Sequence, residues 1–404
     1  MTRITYKPKS RIPKNMTDIA ATSRELIEKL VSFDTTSRDS NLDLIDFVKD
    51  YLAGHGVEAT IIRDDREPKA NLYATIGPAD KAGIMLSGHT DVVPVDGQNW
   101  ATDPFNVVEK DGKLYGRGTC DMKGFIAMAL AHVPEFLRRG LDTPIHLALS
   151  YDEEVGCIGV RRLIDMINTL PIKPRMAIIG EPTDMQVIVA HKGKTDVTAH
   201  VHGFECHSSL APTGVNAIQY AAELIGFITK MAGRVAQEGP FDNEFDVAHS
   251  TIHTGVIRGG TALNIVPKDC SFEFEIRNLP LQDPQPLFDE IFRFAAEELE
   301  PRMQAIHPDT GISFTQGVTY PGLDMRPDDE AVTLVKALAG QNNHSKVAFG
   351  TEAGLFQRDA GVPCVVCGPG SIAQAHKPDE FLSLDQFRAG HDFMGRLMDR
   401  VCVK

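Results

Sequence analysis

Apolar runs that stop abruptly at a carboxylate or an imidazole recur along this chain, and they restrict it to a layered fold. Ile84-Met85-Leu86-Ser87-Gly88 runs into His89-Thr90-Asp91, Ile145–Tyr151 into Asp152-Glu153-Glu154, and Ala177-Ile178-Ile179-Gly180 into Glu181-Pro182-Thr183. Short apolar stretches bounded by turn residues read as buried strands. Helical signals lie between and around them. Leu26, Ile27, Leu30 and Val31 recur with helical spacing after a cap at Asn15 or Thr17, Leu42 to Leu52 repeats the pattern, an Ala-rich helix runs from Met122 to Phe136, and another from Gly159 to Met166. Further strands are expected at Val57–Ile62, Asn71–Ile76, Gly83–Ser87 and Met176–Ile179. Alternating strands and helices predict an α/β domain with a largely parallel sheet, and open sheets of this kind gather ligands where their strands end.

The rhythm changes after about residue 191. Lys194–Val201 alternates, with Thr195, Val197, Ala199 and Val201 on one face; a helix from Val215 to Met231, strands near Thr251–Ile257 and Cys270–Ile276, a helix from Pro286 to Leu299 and a strand near Ile312–Thr315 follow. That order is β-α-β-β-α-β, a ferredoxin-like unit. After Pro321 the α/β rhythm resumes with a helix at Glu330–Ala339, a strand at Pro363–Cys367 and a helix at Leu384–Val401. A chain of 404 residues is too long for one core. The expected organisation is a discontinuous α/β domain, 1–191 and 319–404, with 192–318 inserted into it.

A net charge of −14 argues against a nucleic-acid partner. The sequence holds no run of 18 apolar residues, so no membrane span is expected. Residues 1–16 are polar and basic without an apolar segment, and read as a flexible extension rather than a secretory signal. Seven scattered cysteines fit a reducing cytoplasm better than a disulfide framework. Cys364 and Cys367 form a CxxC inside an apolar run and read as small core residues.

The chemistry sits at the strand ends. His89 can ligate a metal through one ring nitrogen while Asp91 takes a hydrogen bond from the other. Asp121 stands between a Gly-rich loop and a helix, as a bridging carboxylate or a helix cap. Three adjacent carboxylates at 152–154 repel one another unless a cation offsets them. There one Glu can bind metal while its neighbour serves as general base. Glu181 ends a strand, and His376 lies in a loop after Gly368-Pro369-Gly370. Two His and three carboxylates meet the needs of a two-zinc site with one bridging acid. Cobalt or manganese suit the same donors. A nicotinamide-type oxidoreductase is set aside, because no G-x-G-x-x-G follows the first strand.

These segments, in this order, resemble the M20 metallopeptidase family. The matching strings are GHTDVVP (88–94), GRGTCDMKG (116–124), DEE (152–154), GEPT (180–183) and QAHKPDE (374–380). AHKG (190–193), CHSS (206–209), TEAGLFQ (351–357) and VCGPGSIAQAHKPDE (366–380) resemble its deacetylase branch. The resemblance implies a dizinc-aminopeptidase-like catalytic domain with the ferredoxin-like insert as lid and dimerisation domain. It implies one metal on His89 and Glu181, another on Glu154 and His376, and Asp121 between them. It makes Glu153 the general base, Asp91 the partner of His89, and His207 an oxyanion-stabilising residue that often acts across a homodimer. Asn264, Arg277 and Thr351 match substrate-contacting positions. The implied reaction is metal-assisted hydrolysis of a small N-acyl amino acid. Glu352 is a candidate for attracting a distal ammonium of that substrate, or an ordinary loop carboxylate.

Overall fold

The computed structural model describes residues 16–403, with side chains from residue 18 onward. The extension and the candidate caps Asn15 and Thr17 fall outside the described residues and side chains. The chain forms two compact units. One comprises residues up to 190 with Met325–Ser345 and Thr351–Lys404; the other comprises His191–Asp324 and Lys346–Gly350.

The first unit is built on a mixed sheet. Seven of its strands run in the order Ala59–Arg63, Ala70–Ile76, Ile145–Ser150, Ile84–His89, Met176–Ile179, Cys364–Val366 and Ile188–His191. The middle four are parallel to one another, and the outer pairings are antiparallel. The expected parallel sheet is therefore its centre only. Ile84–His89, Ile145–Ser150 and Met176–Ile179 are buried throughout. A parallel strand covered on both faces has no polar side to alternate with, which is why these segments are apolar without a period.

Helix Lys123–Arg139 carries buried side chains around most of its circumference, as expected of a helix packed between other elements. Its cap position is Met122, with no side-chain cap bond. The Asp121 carboxylate is thus free of the capping role that its place in the sequence also suggested. Cys364 and Cys367 are fully buried and unpaired, as expected of core residues. A small antiparallel sheet of Val108–Lys110, Lys113–Tyr115 and Phe381–Ser383 was not anticipated from the sequence. Three-residue strands are too short to show a period.

The second unit is a four-stranded antiparallel sheet in the order Thr251–Gly259, Asp269–Arg277, Lys194–His202 and Gly311–Tyr320. The helices Ala217–Glu238 and Gln285–Phe294 complete the β-α-β-β-α-β order. Val197, Ala199 and Val201 point to the face where Phe272, Phe274, Leu224, Ile228 and Ile291 form the core. Each such Val, Leu, Ile or Phe side chain contributes about 1.5–3 kcal/mol by burial. Among the described residues no helix is long and apolar enough to cross a membrane.

Candidate metal centre

Three parallel strands deliver their polar tips to one end of the first unit's sheet. His89 is the last residue of its strand, Glu153 and Glu154 follow the strand ending at Ser150, and Glu181 follows the one ending at Ile179. Parallel strands in register end together, so the chain needs no special device to collect these groups. One ligand atom each from His89, Glu153 and Glu181 lies within 4.8 Å of the others, and so do those of His89, Asp121 and Glu154. His89 Nε2 is 3.1 Å from Asp121 Oδ1 and 3.9 Å from Glu181 Oε2. His376 Nε2 is 3.0 Å from Glu154 Oε2 and 3.3 Å from Asp121 Oδ2. Asp121 therefore presents one oxygen to each imidazole, the disposition a bridging carboxylate needs.

Asp91 serves the cluster differently from the expectation. The hydrogen bond at His89 Nδ1 goes to the backbone carbonyl of Asp91 at 2.9 Å, while the nearest carboxylate oxygen stands 3.6 Å away. The Asp91 carboxylate instead accepts from the backbone N–H of Glu153 at 3.1 Å and of Glu154 at 3.3 Å, and from Ser37 Oγ at 2.7 Å. It thus holds the loop that carries both glutamates. Lys69, also buried, donates to both oxygens of Asp152 at 2.9 and 2.8 Å and fixes the start of that loop. Asp152 has φ +56°, a left-handed conformation that this anchoring supports.

The electrostatics favour a bound cation. Burial pushes the Glu153 and Glu181 carboxyls well above their ordinary range, with neighbouring acids adding to it. Burial and the nearby Asp121 carboxylate bring Glu154 up to about 7. Burial acts on Asp121 in the same direction, but hydrogen bonds from His376 and His89 prevail and hold it low. Asp121 and Glu154 in turn raise His376 to about 10. Acids gathered in a buried pocket with two imidazoles are paired or coordinate metal, and divalent cations suit mixed oxygen and nitrogen donors. The residues present fit such an ion.

Thr351 is fully buried, and its hydroxyl accepts from the Ala353 N–H at 3.1 Å. Glu352 is 1% exposed and is pushed up to about 7 by burial. It is as buried as His89, and it stands close enough to Glu153 to help raise that carboxyl. On the second unit, His207 and Asn264 are brought together by a bridge between His207 and Ile265 and by the Ser208 N–H donating to the Asn264 carbonyl at 3.0 Å. Both side chains are exposed, and His207 Nδ1 bonds Ser209 Oγ at 2.8 Å. Arg277 ends its strand half-buried, with Nε donating to Glu275 at 2.8 Å. Reasoning from the sequence missed Ser37, Lys69 and Glu380. A lysine or glutamate is conspicuous only once its burial is known.

This combination of fold and buried His/carboxylate cluster defines a metal-dependent hydrolase of amide bonds. The profile of peptidase family M20/M25/M40 matches residues 85–400, and the chain belongs to that family. It is 34% identical over 378 residues to an acetylornithine deacetylase of Pasteurella multocida (strain Pm70), covering 92% of this chain and 94% of that one. With an acetylornithine deacetylase of Proteus mirabilis (strain HI4320) it shares 35% identity, covering 92% of each. Its fold is similar to that of an M20 family metallo-carboxypeptidase from Sulfolobus solfataricus, with a TM-score of 0.74 at 17% identity, covering 93% of this chain and 98% of that one. The architecture is the dizinc-aminopeptidase-like α/β type.

Proposed function

We propose that the protein hydrolyses N2-acetyl-L-ornithine to L-ornithine and acetate, a step of arginine biosynthesis in the cytoplasm. The observation that carries the reading is the cluster of His89, Asp121, Glu153, Glu154 and Glu181, with the more exposed His376 reaching Asp121 and Glu154. The similarity to acetylornithine deacetylases along 92% of the chain supports the choice of substrate.

We assign His89 and Glu181 to one zinc ion, Glu154 and His376 to a second, and Asp121 to both. When bound, such ions polarise the amide carbonyl and bring the pKa of a bound water from about 16 to near 7. Glu153, whose carboxyl is raised by burial, accepts a proton from the attacking water. Water oxygen bonds to the acyl carbon, the C–N bond breaks, and Glu153 returns the proton to the departing amine. Asp91 keeps Glu153 and Glu154 in place through their backbone N–H groups. From the second unit, which we assign as lid and dimerisation domain of a homodimer, His207 stabilises the developing oxyanion. Asn264 and Arg277 bind the substrate carboxylate, and Thr351 contributes to the substrate site.

The test is kcat/KM for N-acetyl-ornithine, N-succinyl-diaminopimelate, N-acetyl-methionine and a dipeptide, before and after chelation. The proposal expects N-acetyl-ornithine to lead, with activity lost on chelation and restored by zinc. Preference for another of the four would overturn the substrate. Activity that survives complete metal removal would overturn the mechanism.

A further inference from the structure

His376 differs from the other candidate ligands. Its side chain is 52% exposed, against 1% for His89 and 6–7% for Asp121, Glu154 and Glu181. It sits in a loop at φ +62°, outside any helix or strand. Packing therefore does little to fix it, and something else must set its position.

Glu380, four residues on, is 1% exposed and makes an unusual set of bonds. Its Oε1 accepts three backbone N–H groups, from Gly118 at 3.0 Å, Cys120 at 2.9 Å and Asp121 at 3.0 Å. Its Oε2 accepts from Arg117 Nη1 at 2.6 Å, and its own carbonyl accepts from the Gly116 N–H at 2.9 Å. The loop that presents Asp121 is thus wound around one carboxylate from the loop that presents His376. Pairing of Phe381 with Tyr115 continues the junction. Gly118, at φ +84°, lets the backbone turn its N–H groups inward.

The network closes on His376 from the other side. Arg117 Nη2 donates to Gln98 Oε1 at 2.8 Å, and Gln98 Nε2 donates to the His376 carbonyl at 3.2 Å. Trp100 Nε1 donates to the same Gln98 oxygen at 3.0 Å, and its ring lies 5.1 Å from the Arg117 guanidinium. A path of hydrogen bonds therefore runs from the backbone of Asp121 through Glu380, Arg117 and Gln98 to the backbone of His376.

We infer that Glu380, with Arg117 and Gln98, is a positioning group that sets the separation of Asp121 and His376 and so the affinity of the metal held by His376 and Glu154. The inference rests on the two-metal reading above. It assigns no contact with substrate to these residues. Partners that orient metal ligands typically change metal affinity by about 10- to 100-fold when removed.

The experiment is a calorimetric titration of metal-free protein with zinc, for the parent, Gln98→Ala and Glu380→Gln, with the melting temperature of each metal-free form. Gln98 is only part-buried, so its variant keeps the fold if the more disruptive Glu380→Gln does not. The expected result is two equivalents in the parent. In Gln98→Ala one equivalent should stay near the parental affinity while the other weakens about tenfold or more, and Glu380→Gln should weaken that same equivalent at least as much. At saturating zinc, KM should stay near the parental value. Parental affinity for both equivalents in the folded variants would overturn the inference and leave the two-metal reading standing. Equal weakening of both equivalents alongside a fall in melting temperature would mark the network as structural and also overturn it. A parent that takes up no zinc would overturn the two-metal reading itself, and this inference with it.

Discussion

Most candidate residues of the first unit are buried and multiply bonded, His376 excepted, whereas His207 and Asn264 of the second are exposed and bonded locally. His89, Asp121 and Glu181 are each below a tenth exposed, and Asp91 alone accepts three hydrogen bonds. His207 and Asn264 lie at the surface, with His207 bonded only two residues away through its ring. A cluster of like charges must be fixed before a cation arrives, because the acids repel one another and would otherwise disperse. Residues proposed to meet a substrate, as His207 and Asn264 are, carry no such penalty and can be ordered by a ligand. Preorganisation is therefore concentrated where charge is most costly to bury.

That contrast can be broken by mutation. Glu153→Ala should lower kcat by about 10²- to 10⁴-fold while the protein still binds two zinc ions, as read by steady-state kinetics beside elemental analysis. An unchanged kcat would remove Glu153 from its role. His207→Ala should cost about 10²- to 10³-fold in kcat with the melting temperature held, since exposed substitutions move stability by only about 0.5 kcal/mol. A lowered melting temperature with full activity would instead make His207 structural.

Acid should also act on the first unit through two buried histidines on its helices. The rings of His132 and His391 lie tilted 5.2 Å apart between helices, and burial lowers them to about 4 and about 3 respectively, with the Met128 carbonyl and then Glu135 offsetting the first. Both rings are neutral in the folded protein and take up protons on unfolding below about 6.5. Stability should therefore be fully present above pH 6.5 and fall as the pH drops towards 4 and then 3. Urea unfolding of His391→Phe should show a weaker dependence over this window, and an unchanged slope would count against the assignment. The smallest effect is expected for Glu352→Gln. Because burial raises Glu352 to about 7, an amide resembles the acid it replaces, and KM for N-acetyl-ornithine should stay within about twofold. A large rise in KM would return Glu352 to the substrate.

Much of this was legible in the sequence for a simple reason. Buried parallel strands must be apolar along their length, so a charged residue at the end of one stands out, as His89, Glu153 and Glu181 do. The alternation at Val197, Ala199 and Val201 likewise marked one face of the second sheet. Partnership was hidden. The Asp91 carboxylate stands 3.6 Å from His89 Nδ1, but the hydrogen bond there goes to the Asp91 carbonyl, and the same carboxylate also holds the next loop. Glu380 lies more than 250 residues from the backbone groups it binds, and no local pattern reports such a contact. The antiparallel outer strands of the first sheet were also missed, because pairing direction depends on connections rather than on side-chain period.

Where the chain leaves the first unit and where it returns are stitched together. The Met325 N–H donates to the Val189 carbonyl at 2.9 Å, so the two ends of the intervening stretch meet as neighbours. A gap of that kind can be spanned by a single turn, and closing a short gap costs little entropy. The host sheet thus offers a port into which guest sequences can be spliced or exchanged without redrawing its strand order, in the manner of domain insertions whose ends lie close together.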